Sequence, residues 1–513
     1  MKTGVLGGRV GAGLLLASAL ASAPALANGR FPAAQLVLTD PTDPNRIWVR
    51  GTYGVLTSSD AGCTWHWICE SALGYRGTED PMLGVMAGGT VIAGIFDGLA
   101  STHDSGCNWS LEGTLKGLNV VDLSVLKTSP RAAVAITSNG DGNGTFVNKV
   151  WRTSNSAGNW TQLGQALAPD LILFTIDAGP TSPTQLYITA ARYSERDGGF
   201  TNENVLLRSD DDGLTWRTLP IGVAGAADEA YLSALDPNDP RKIYVRLRGN
   251  PDAADPLQNR VVYSEDDGQS WRQIFAARAD ILGFALSPDG SRVALGLGDS
   301  RQPGETRFVD RSLRGLYTAS TSDHQFVRRR EGQVACLKWA EDRMYFCGDS
   351  FPEAGTGGFE LGFTNDEGAT ATMLMKLNGI EGPLSCPVDS QTSQVCGMDD
   401  TWQRVCEVTS RCDLETGKLV PYERSAICPQ SGGAGGGAGQ GGQGGGSGNN
   451  GGASMNDPDA GGQPGAAPDT LHIDDGCSVS RPEHSRHVAV LGLVALFALG
   501  GAHGARRYLR RGR

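Results

Sequence analysis

An eight-residue pattern that recurs through most of the chain constrains the fold more than any other feature of the sequence. The pattern is Ser/Thr-x-Asp-x-Gly-x-Thr/Ser-Trp, and its strong copies are SSDAGCTW (58–65), THDSGCNW (102–109), SDDDGLTW (209–216) and SEDDGQSW (264–271). Two worn copies, TSNSAGNW (153–160) and TNDEGATA (364–371), and the weak stretch YTASTSDHQF (317–326) bring the number of units to seven. The units lie about 44 to 56 residues apart, a spacing typical of propellers and solenoids.

Each unit has the same internal order of short apolar segments. In the fourth unit LILFTID, QLYITAAR, NVLLRSD and TWRTLP follow one another, separated by stretches rich in Gly, Pro and Asp. This order predicts four short strands. A four-stranded sheet cannot bury both of its faces alone, so seven such sheets are expected to pack radially. The sequence therefore predicts an all-β fold, a single seven-bladed β-propeller of four-stranded antiparallel blades over residues 33–380.

The eight-residue pattern resembles the Asp-box, or BNR repeat, of sialidases, sortilin-type receptors, xyloglucanases and a photosystem II assembly factor. The stretches DPTDPNRIWV (40–49) and DPNDPRKIYV (236–245) look most like the sortilin and assembly-factor versions. The resemblance implies the propeller fold. It implies no single function, because those relatives do unrelated things on one fold.

The motif residues are expected to build turns rather than a catalytic or metal site. In a tight turn the Asp accepts hydrogen bonds from unpaired backbone N–H groups, the Gly supplies a positive φ, and the Trp buries a large ring. The loop NGDGNG (139–144) has no bidentate Glu in register, so we predict no metal and no cofactor. The residues assigned a structural role are Asp60, Gly62, Trp65, Asp104, Gly106, Trp109, Asn155, Trp160, Asp211, Gly213, Trp216, Asp266, Gly268, Trp271, Asp366 and Gly368.

A binding site is expected on the face opposite these turns. That face carries the connections between blades and those from the second to the third strand of each blade. The second-to-third connections are short in the first two units and long in the later ones, at 138–147, 192–204, 247–260, 297–314 and 350–359. Long loops on one rim are commonly functional, although a solvated, variable rim is the alternative. The candidate binding residues are Arg192, Arg196, Arg248, Arg260, Arg301 and Arg307, which stand among acidic residues.

An enzymatic function has less support from the sequence. The resemblance to sialidases implies three converging Arg, a Tyr activated by a Glu, an acidic Asp and an early Phe/Tyr-Arg-Ile-Pro stretch. The chain offers GRFP (29–32), in a different order, and one evident Tyr/Glu pair, Tyr193 and Glu195. Xyloglucanases pair two propellers, and only one is predicted here. A binding or adhesion module for an extracellular glycan or protein is therefore favoured, with catalytic residues unknown. The alternatives are a sialidase-like glycoside hydrolase and, by analogy, an assembly factor.

The N-terminus predicts export. Lys2 and Arg9 precede the apolar stretch GAGLLLASALASA, and Ala25-Leu26-Ala27 fits the small-x-small cleavage rule, so residues 1–27 are interpreted as a signal peptide. The net charge of −12 argues against nucleic acid as a partner, because phosphate contact needs a basic surface.

The C-terminus predicts attachment to the cell envelope. Residues 429–470 are rich in Gly and are expected to form a flexible tether, and the apolar run VAVLGLVALFALGGA (488–502) and ARRYLRRGR follow it. Together with Cys477, the segment 477–513 resembles the MYXO-CTERM sorting signal of myxobacterial surface proteins. A plain transmembrane anchor is the alternative. Either would place the body of the chain at the cell surface or outer envelope, attached by its C-terminal helix or by the processed anchor. The protein is expected to be a monomer.

Ten cysteines precede the tether, and in an exported chain they are expected to form disulfides. A hairpin turning at residues 340–343 places Cys336 directly opposite Cys347, at a separation that a disulfide accepts. Three of the remaining cysteines lie in the first two units and five in the Cys-rich segment 381–428. At full pairing, at least one bridge joins the two groups and closes the ring. The alternative is local pairing with some free thiols.

Overall fold

The computed structural model describes residues 32–75, 79–196, 199–249, 259–300, 309–350, 358–409, 411–413, 418–420, 422 and 425–428. Its strands form seven sheets, each built from four consecutive antiparallel strands. The predicted all-β, seven-bladed propeller is therefore confirmed. The signal segment 1–27, the Gly-rich segment 429–470, and Cys477 with the rest of 477–513 lie outside the described residues. Among the helices that the structure describes, none has the length and apolar character needed to cross a membrane.

The first three blades occupy the N-terminal part of the ring. Blade 1 contains β1 (Ala34–Asp40), β2 (Asp43–Gly51), β3 (Gly54–Ser58) and β4 (Trp65–Ile68). A short helix, α1 (Glu70–Leu73), follows it. Blade 2 contains β5 (Met82–Val85), β6 (Val91–Ile95), β7 (Gly98–Thr102) and β8 (Ser110–Leu111). Blade 3 contains β9 (Val120–Val125), β10 (Ala133–Gly140), β11 (Phe146–Thr153) and β12 (Thr161–Leu167).

The remaining four blades complete the ring. Blade 4 contains β13 (Leu171–Ala178), β14 (Leu186–Arg196), β15 (Gly199–Ser209) and β16 (Arg217–Pro220). Blade 5 contains β17 (Glu229–Leu235), β18 (Ile243–Arg248), β19 (Asn259–Ser264) and β20 (Arg272–Ala277). Blade 6 contains β21 (Asp280–Leu286), β22 (Arg292–Gly298), β23 (Gly315–Ser320) and β24 (Val327–Glu331). Blade 7 contains β25 (Cys336–Trp339), β26 (Met344–Cys347), β27 (Leu361–Thr364) and β28 (Thr372–Met375).

The hydrophobic core lies between neighbouring sheets. One buried cluster joins Val134 and Ile136 of blade 3 to Ile176 and Ile188 of blade 4. The strands in the middle of each blade have both faces covered by neighbouring blades, which is why IYVRLR in β18 is buried along its whole length. The apolar segments in each unit thus supply the surfaces that hold consecutive blades together.

The ring closes without a strand shared between the first and last blades. Blades 1 and 7 are each complete, and β29 (Ile380–Pro383) adds a fifth, parallel strand to the outer edge of blade 1. Two helices follow, α2 (Gln391–Cys396) and α3 (Asp399–Val408). We call residues 380–428 the clamp segment.

Three disulfides fasten the clamp segment to the first two blades: Cys63–Cys428, Cys69–Cys396 and Cys107–Cys386. At least one bridge was expected between the two groups of cysteines, and the structure has three. Cys336 and Cys347 face each other in the β25–β26 register and form a fourth disulfide. Cys406–Cys412 is the fifth, so each of the ten cysteines before the tether is bridged.

Blade 4 differs from the sequence expectation on its rim. The stretch 192–204 was expected to be a loop, but β14 and β15 continue as one hairpin whose pairing reaches Arg196 and Gly199. Tyr193, Phe200 and Thr201 belong to residue types that favour strands, which explains the extension.

Candidate binding face

The repeated motif forms a hydrogen-bonded turn between the third and fourth strands of the blade. In blade 1, Asp60 accepts hydrogen bonds from the backbone N–H and the hydroxyl of Thr64, both at 2.8 Å. The N–H of Gly62 donates to the Ser58 hydroxyl at 2.9 Å, and Trp65 donates its indole N–H to the Gly62 carbonyl at 2.9 Å. The side chains of Ser58, Asp60, Thr64 and Trp65 are therefore all hydrogen-bonded within the turn itself.

The same geometry recurs in blades 2, 4, 5 and 7, around Asp104, Asp211, Asp266 and Asp366. Hydrogen bonds from the Thr215 hydroxyl, the Thr215 N–H and the Ser209 hydroxyl lower the pKa of Asp211 to about 2. A carboxylate held ionised in this way is unsuited to general acid–base catalysis near neutral pH.

The less regular copies of the motif form the same turn, although other residues occupy its Asp and Gly positions. In blade 3, Asn155 replaces the Asp and accepts from Asn159 N–H at 3.2 Å, while Ala157 takes the Gly position at a φ of 64°. In blade 6, Ser322 takes the Asp position and His324 the Gly position, at a φ of 53°. A positive φ is uncommon for residues other than Gly, although His adopts it more readily than Ala does.

Each motif turn also packs against the preceding blade. A Cβ atom on Gly268 would lie 2.5 Å from Leu206 of blade 4, and one on Gly368 would lie 2.5 Å from Leu316 of blade 6. The glycine is thus required by close approach as well as by its positive φ. The turns are joints between blades.

The residue before the motif glycine forms a second contact between blades, with an Arg of the preceding blade. These contacts were not predicted from the sequence. Arg152 of blade 3 contacts Asp212 of blade 4 at 2.8 Å, and Arg208 of blade 4 contacts Asp267 of blade 5 at 2.6 Å. Arg292 of blade 6 pairs with Glu367 of blade 7. Arg46 contacts Ser105 in the same way between blades 1 and 2, and between blades 5 and 6 Arg272 contacts His324, which stands at the glycine position itself. We call these five contacts the motif latches.

The opposite face, here called the rim face, carries the second-to-third connections. Blades 1 and 2 have tight turns there, between Gly51 and Gly54 and between Ile95 and Gly98. The corresponding strand ends are much farther apart in sequence in blades 5, 6 and 7. They fall at Arg248 and Asn259, at Gly298 and Gly315, and at Cys347 and Leu361.

The candidate binding arginines are engaged by carboxylates. Arg192 contacts Asp170 at 3.3 Å and Glu203 at 3.2 Å, all in blade 4 or the connection that enters it. Arg248 contacts Glu229 at 3.3 Å. The side chain of Arg196, at the end of β14, is not described, and Arg301 and Arg307 lie outside the described residues.

Arg260, in blade 5, is another candidate binding arginine that contacts a carboxylate. It pairs with the fully buried carboxylate of Asp228 and donates to the Val223 carbonyl at 3.2 Å. The structure therefore brings Arg248 and Arg260 to the adjacent acids 228 and 229, and places Arg192 on the neighbouring blade.

A Tyr/Glu pair in blade 5 was missed from the sequence. Tyr231 donates its hydroxyl to Glu229 at 2.7 Å, and the guanidinium of Arg246 lies 4.9 Å from the Tyr231 ring centre. Phe174 of blade 4 packs beside the same ring, with centroids 5.5 Å apart. Tyr231 lies in the apolar stretch AYLSALD, where the sequence pattern indicates only a buried strand. The pair considered from the sequence is not placed as a site, because the side chain of Glu195 is not described.

A repeated asparagine positions the rim of blades 3 to 5. Asn148 donates to the carbonyls of residues 168 and 171, and Asn204 to those of residues 225 and 228. Asn259 donates to the carbonyl of residue 279 at 2.9 Å. Each stands five residues before the first motif residue of its blade, a spacing that the sequence displays. These amides fix the connection entering the next blade.

The NGDGNG loop is a closed turn. Asp141 accepts hydrogen bonds from Asn143 N–H at 2.8 Å and from Thr145 N–H at 3.1 Å. The Thr145 hydroxyl completes the set at 2.6 Å and is the largest cause of lowering the Asp141 pKa to about 2. In the part of the chain that the structure describes, no group of three or more His, Cys, Asp or Glu side chains has the geometry of a metal site.

No family model matches the chain, and neither does any curated protein. Solved structures similar to it include the extracellular domain of a putative hybrid two-component system from B. thetaiotaomicron, at a TM-score of 0.41 and 11% identity, with 62% of this chain and 37% of that chain covered. YCF48 bound to D1 peptide has a TM-score of 0.34 and 17% identity, covering 50% and 72%. A Hadza microbial sialidase has a TM-score of 0.32 and 13% identity, covering 59% and 70%. The chain thus spans well under two thirds of the first structure. Likeness at this level carries no argument about activity.

Proposed function

We propose that the chain is an exported β-propeller that binds a polar extracellular ligand, a glycan or a protein, through the rim face of blades 3 to 6. The observation that carries the proposal is that the connections on the rim face differ in length from blade to blade. Blades 1 and 2 have minimal turns and blade 3 has a short turn between Gly140 and Phe146, whereas blades 4 to 7 extend the rim with a long hairpin or long connections. Asparagines fix the rim of blades 3 to 5. Extended connections on a rigid scaffold are the usual location of binding residues.

The ion pairs of the rim make it suited to polar contacts. Arg192 and Glu203 are both partly exposed, so either can exchange its partner for a ligand group at modest cost. Arg248 and Arg260 are more enclosed and act as supports that orient the acids beside them. An interface of this kind gains specificity from charge arrangement more than from apolar area.

Binding is tested with the full chain on arrays of neutral and acidic glycans and in pull-downs of cell-surface proteins. The rim variant replaces Arg192 and Glu203 by Ala. The matched control replaces Asp239 and Arg241 by Ala; this ion pair joins a partly buried Asp to an exposed Arg on the turn between β17 and β18, at the opposite face. We expect the rim variant to lose at least tenfold in affinity and the control to bind normally, since a contact residue is worth about 1–2 kcal/mol or more. Equal loss in both variants would contradict the proposal.

A sialidase-like hydrolase is the second candidate, and the Tyr231–Glu229 hydrogen bond is the observation in its favour. In this role Glu229 would activate the Tyr231 hydroxyl as a nucleophile, with Arg248 beside the carboxylate. The test is hydrolysis of a fluorogenic sialoside by the purified chain. Tyr231→Phe should reduce the rate at least a hundredfold, and Tyr317→Phe should not. Absence of turnover in the unaltered chain removes this candidate.

The five disulfides are consistent with an exported protein, because such bonds persist in oxidising compartments. We further propose that the C-terminal segment with Cys477 attaches the propeller to the cell envelope as a monomer. Release of the protein from the cell surface after deletion of residues 477–513 tests the attachment.

A further inference from the structure

A buried carboxyl group spans the joint between blades 7 and 1. Glu360, the residue before β27, is 1% exposed and accepts a hydrogen bond at 2.5 Å from the N–H of Ala34, the first residue of β1. Its other oxygen accepts from the hydroxyl of Ser350. One side chain of blade 7 thus holds the beginning of the inner strand of blade 1.

The surroundings of this carboxyl are unfavourable for a negative charge. Tyr53 of blade 1 lies close by with its hydroxyl buried, and its pKa is raised well above the usual value by burial and then by the charge of Glu360. Asp349 adds a second negative charge. Within the described part of the chain, the groups that shift the pKa of Glu360 are Ser350, Ala34 and Asp349, and none of these three is a cation. The contrast is Asp228 in blade 5, equally buried but paired with Arg260.

Burial raises the pKa of Glu360 to about 7, although the hydrogen bonds from Ser350 and Ala34 lower it in part. The folded joint therefore keeps a proton that the unfolded or locally opened chain releases. Stability from this group is fully present below pH about 4.5, the ordinary value for an exposed Glu, and is lost as the pH rises through about 7.

We infer that the contact of Glu360 with Ala34 is a proton-sensitive joint, which holds β1 against blade 7 while the carboxyl is protonated and weakens when it ionises. The joint lies on the rim side, because Glu360 and Ala34 stand at the ends of their strands that face away from the motif turns. Opening it changes the rim face between blades 7 and 1 and leaves the distant blades 4 and 5 unchanged.

Hydrogen exchange on the full chain between pH 5 and pH 8.5 tests the joint, with each rate divided by the intrinsic rate at that pH. The opening constant for the peptide containing Ala34 should rise about tenfold between pH 6 and pH 8, as expected for a group whose pKa falls from about 7 to about 4.5 on opening. A peptide from β14 should show no such rise. Glu360→Gln keeps the shape and the acceptor for Ala34, so its opening constant should be independent of pH.

Two further variants keep the test decisive if Glu360→Gln folds poorly. Ser350→Ala removes a donor that lowers the pKa of Glu360, so the rise in opening should move to higher pH. Asp349→Asn removes a charge that raises it, so the rise should move to lower pH. A rise at Ala34 that is unaffected by all three variants, or its absence in the unaltered chain, would overturn the proposal.

Discussion

The joint between blades 7 and 1 and the joints elsewhere in the ring are held by different chemistry. At every joint the motif turn of one blade packs on the preceding blade, and at the last joint Gly62 approaches Leu374 of blade 7. In five of the six other joints a motif latch supplements that packing, as between Arg208 and Asp267. In blade 1 the latch position is Ala61, and the neighbouring Cys63 carries a disulfide to Cys428. Consecutive blades are tethered by the chain itself, whereas the last joint must bring together residues over 300 positions apart. A covalent clamp occurs where the entropy cost of closure is greatest.

The largest expected effect concerns the clamp. Replacing all six cysteines of Cys63–Cys428, Cys69–Cys396 and Cys107–Cys386 by Ala releases a loop of 365 residues and should lower the free energy of unfolding by at least about 6 kcal/mol in the chain-entropy model. The control, Cys336→Ala with Cys347→Ala, opens a separation of only 11 residues and should cost about 3 kcal/mol. Urea unfolding measures both. Equal losses would contradict the role of the clamp in ring closure.

The next effect concerns a latch. Asp267→Ala leaves the largely buried Arg208 without its interblade partner, and Tyr187 loses a contact as well. We expect a loss of about 2–4 kcal/mol in the free energy of unfolding. Asp239→Ala, which breaks a pair whose Arg is exposed and which lies within one turn, should cost less than about 1 kcal/mol. Comparing the two variants distinguishes the effect of losing an interblade ion pair from the effect of removing a surface charge.

The joint between blades 5 and 6 should depend on pH in the acidic range. Burial, and then the charge of Arg272, lower the pKa of His324 to about 4. Because the folded state keeps His324 neutral, the stability it supports is complete above pH about 6.5 and is lost as the pH falls towards 4. Relative to His324→Gln, the unaltered chain should lose up to about 1.4 kcal/mol per pH unit in that window. Parallel stability curves for the two proteins would show that His324 does not titrate there.

The smallest effect should come from the more exposed latch. Asp212→Ala removes the partner of Arg152 where both side chains are better solvated than Arg208 and Asp267. A loss of about 0.5–1 kcal/mol is expected in urea unfolding. A cost at Asp212 as large as that at Asp267 would mean that burial does not set the strength of the latches.

The sequence predicted the ring because the same motif and strand order recur in seven units. Motif spacing and strand order gave the blades, and the odd number of cysteines in blades 1 and 2 required a bridge to the clamp segment. The latches were not predicted, because they join an Arg of one unit to the motif of the next unit. Sequence periodicity shows which residues the units have in common, but it does not show which residues of neighbouring units are in contact.

The rim was predicted only in outline. Its connections were located from their length, but the ion pairs of Arg192, Arg248 and Arg260 depend on how adjacent strands and interblade connections converge. Tyr231 was overlooked because an aromatic residue in an apolar strand is ordinarily core. Glu360 gave no signal either, since its burial results from the meeting of chain segments separated by 326 positions.

The central claim is that the clamp segment closes the ring, and hydrogen exchange of the chain with its disulfides reduced tests it most directly. Under mild denaturant, the inner strands β1 and β25 should lose protection first, while β13 and β17, whose joint depends on packing and a latch, remain protected. Simultaneous loss of protection in all four strands, or retention at β1 and β25 after complete reduction, would contradict the claim.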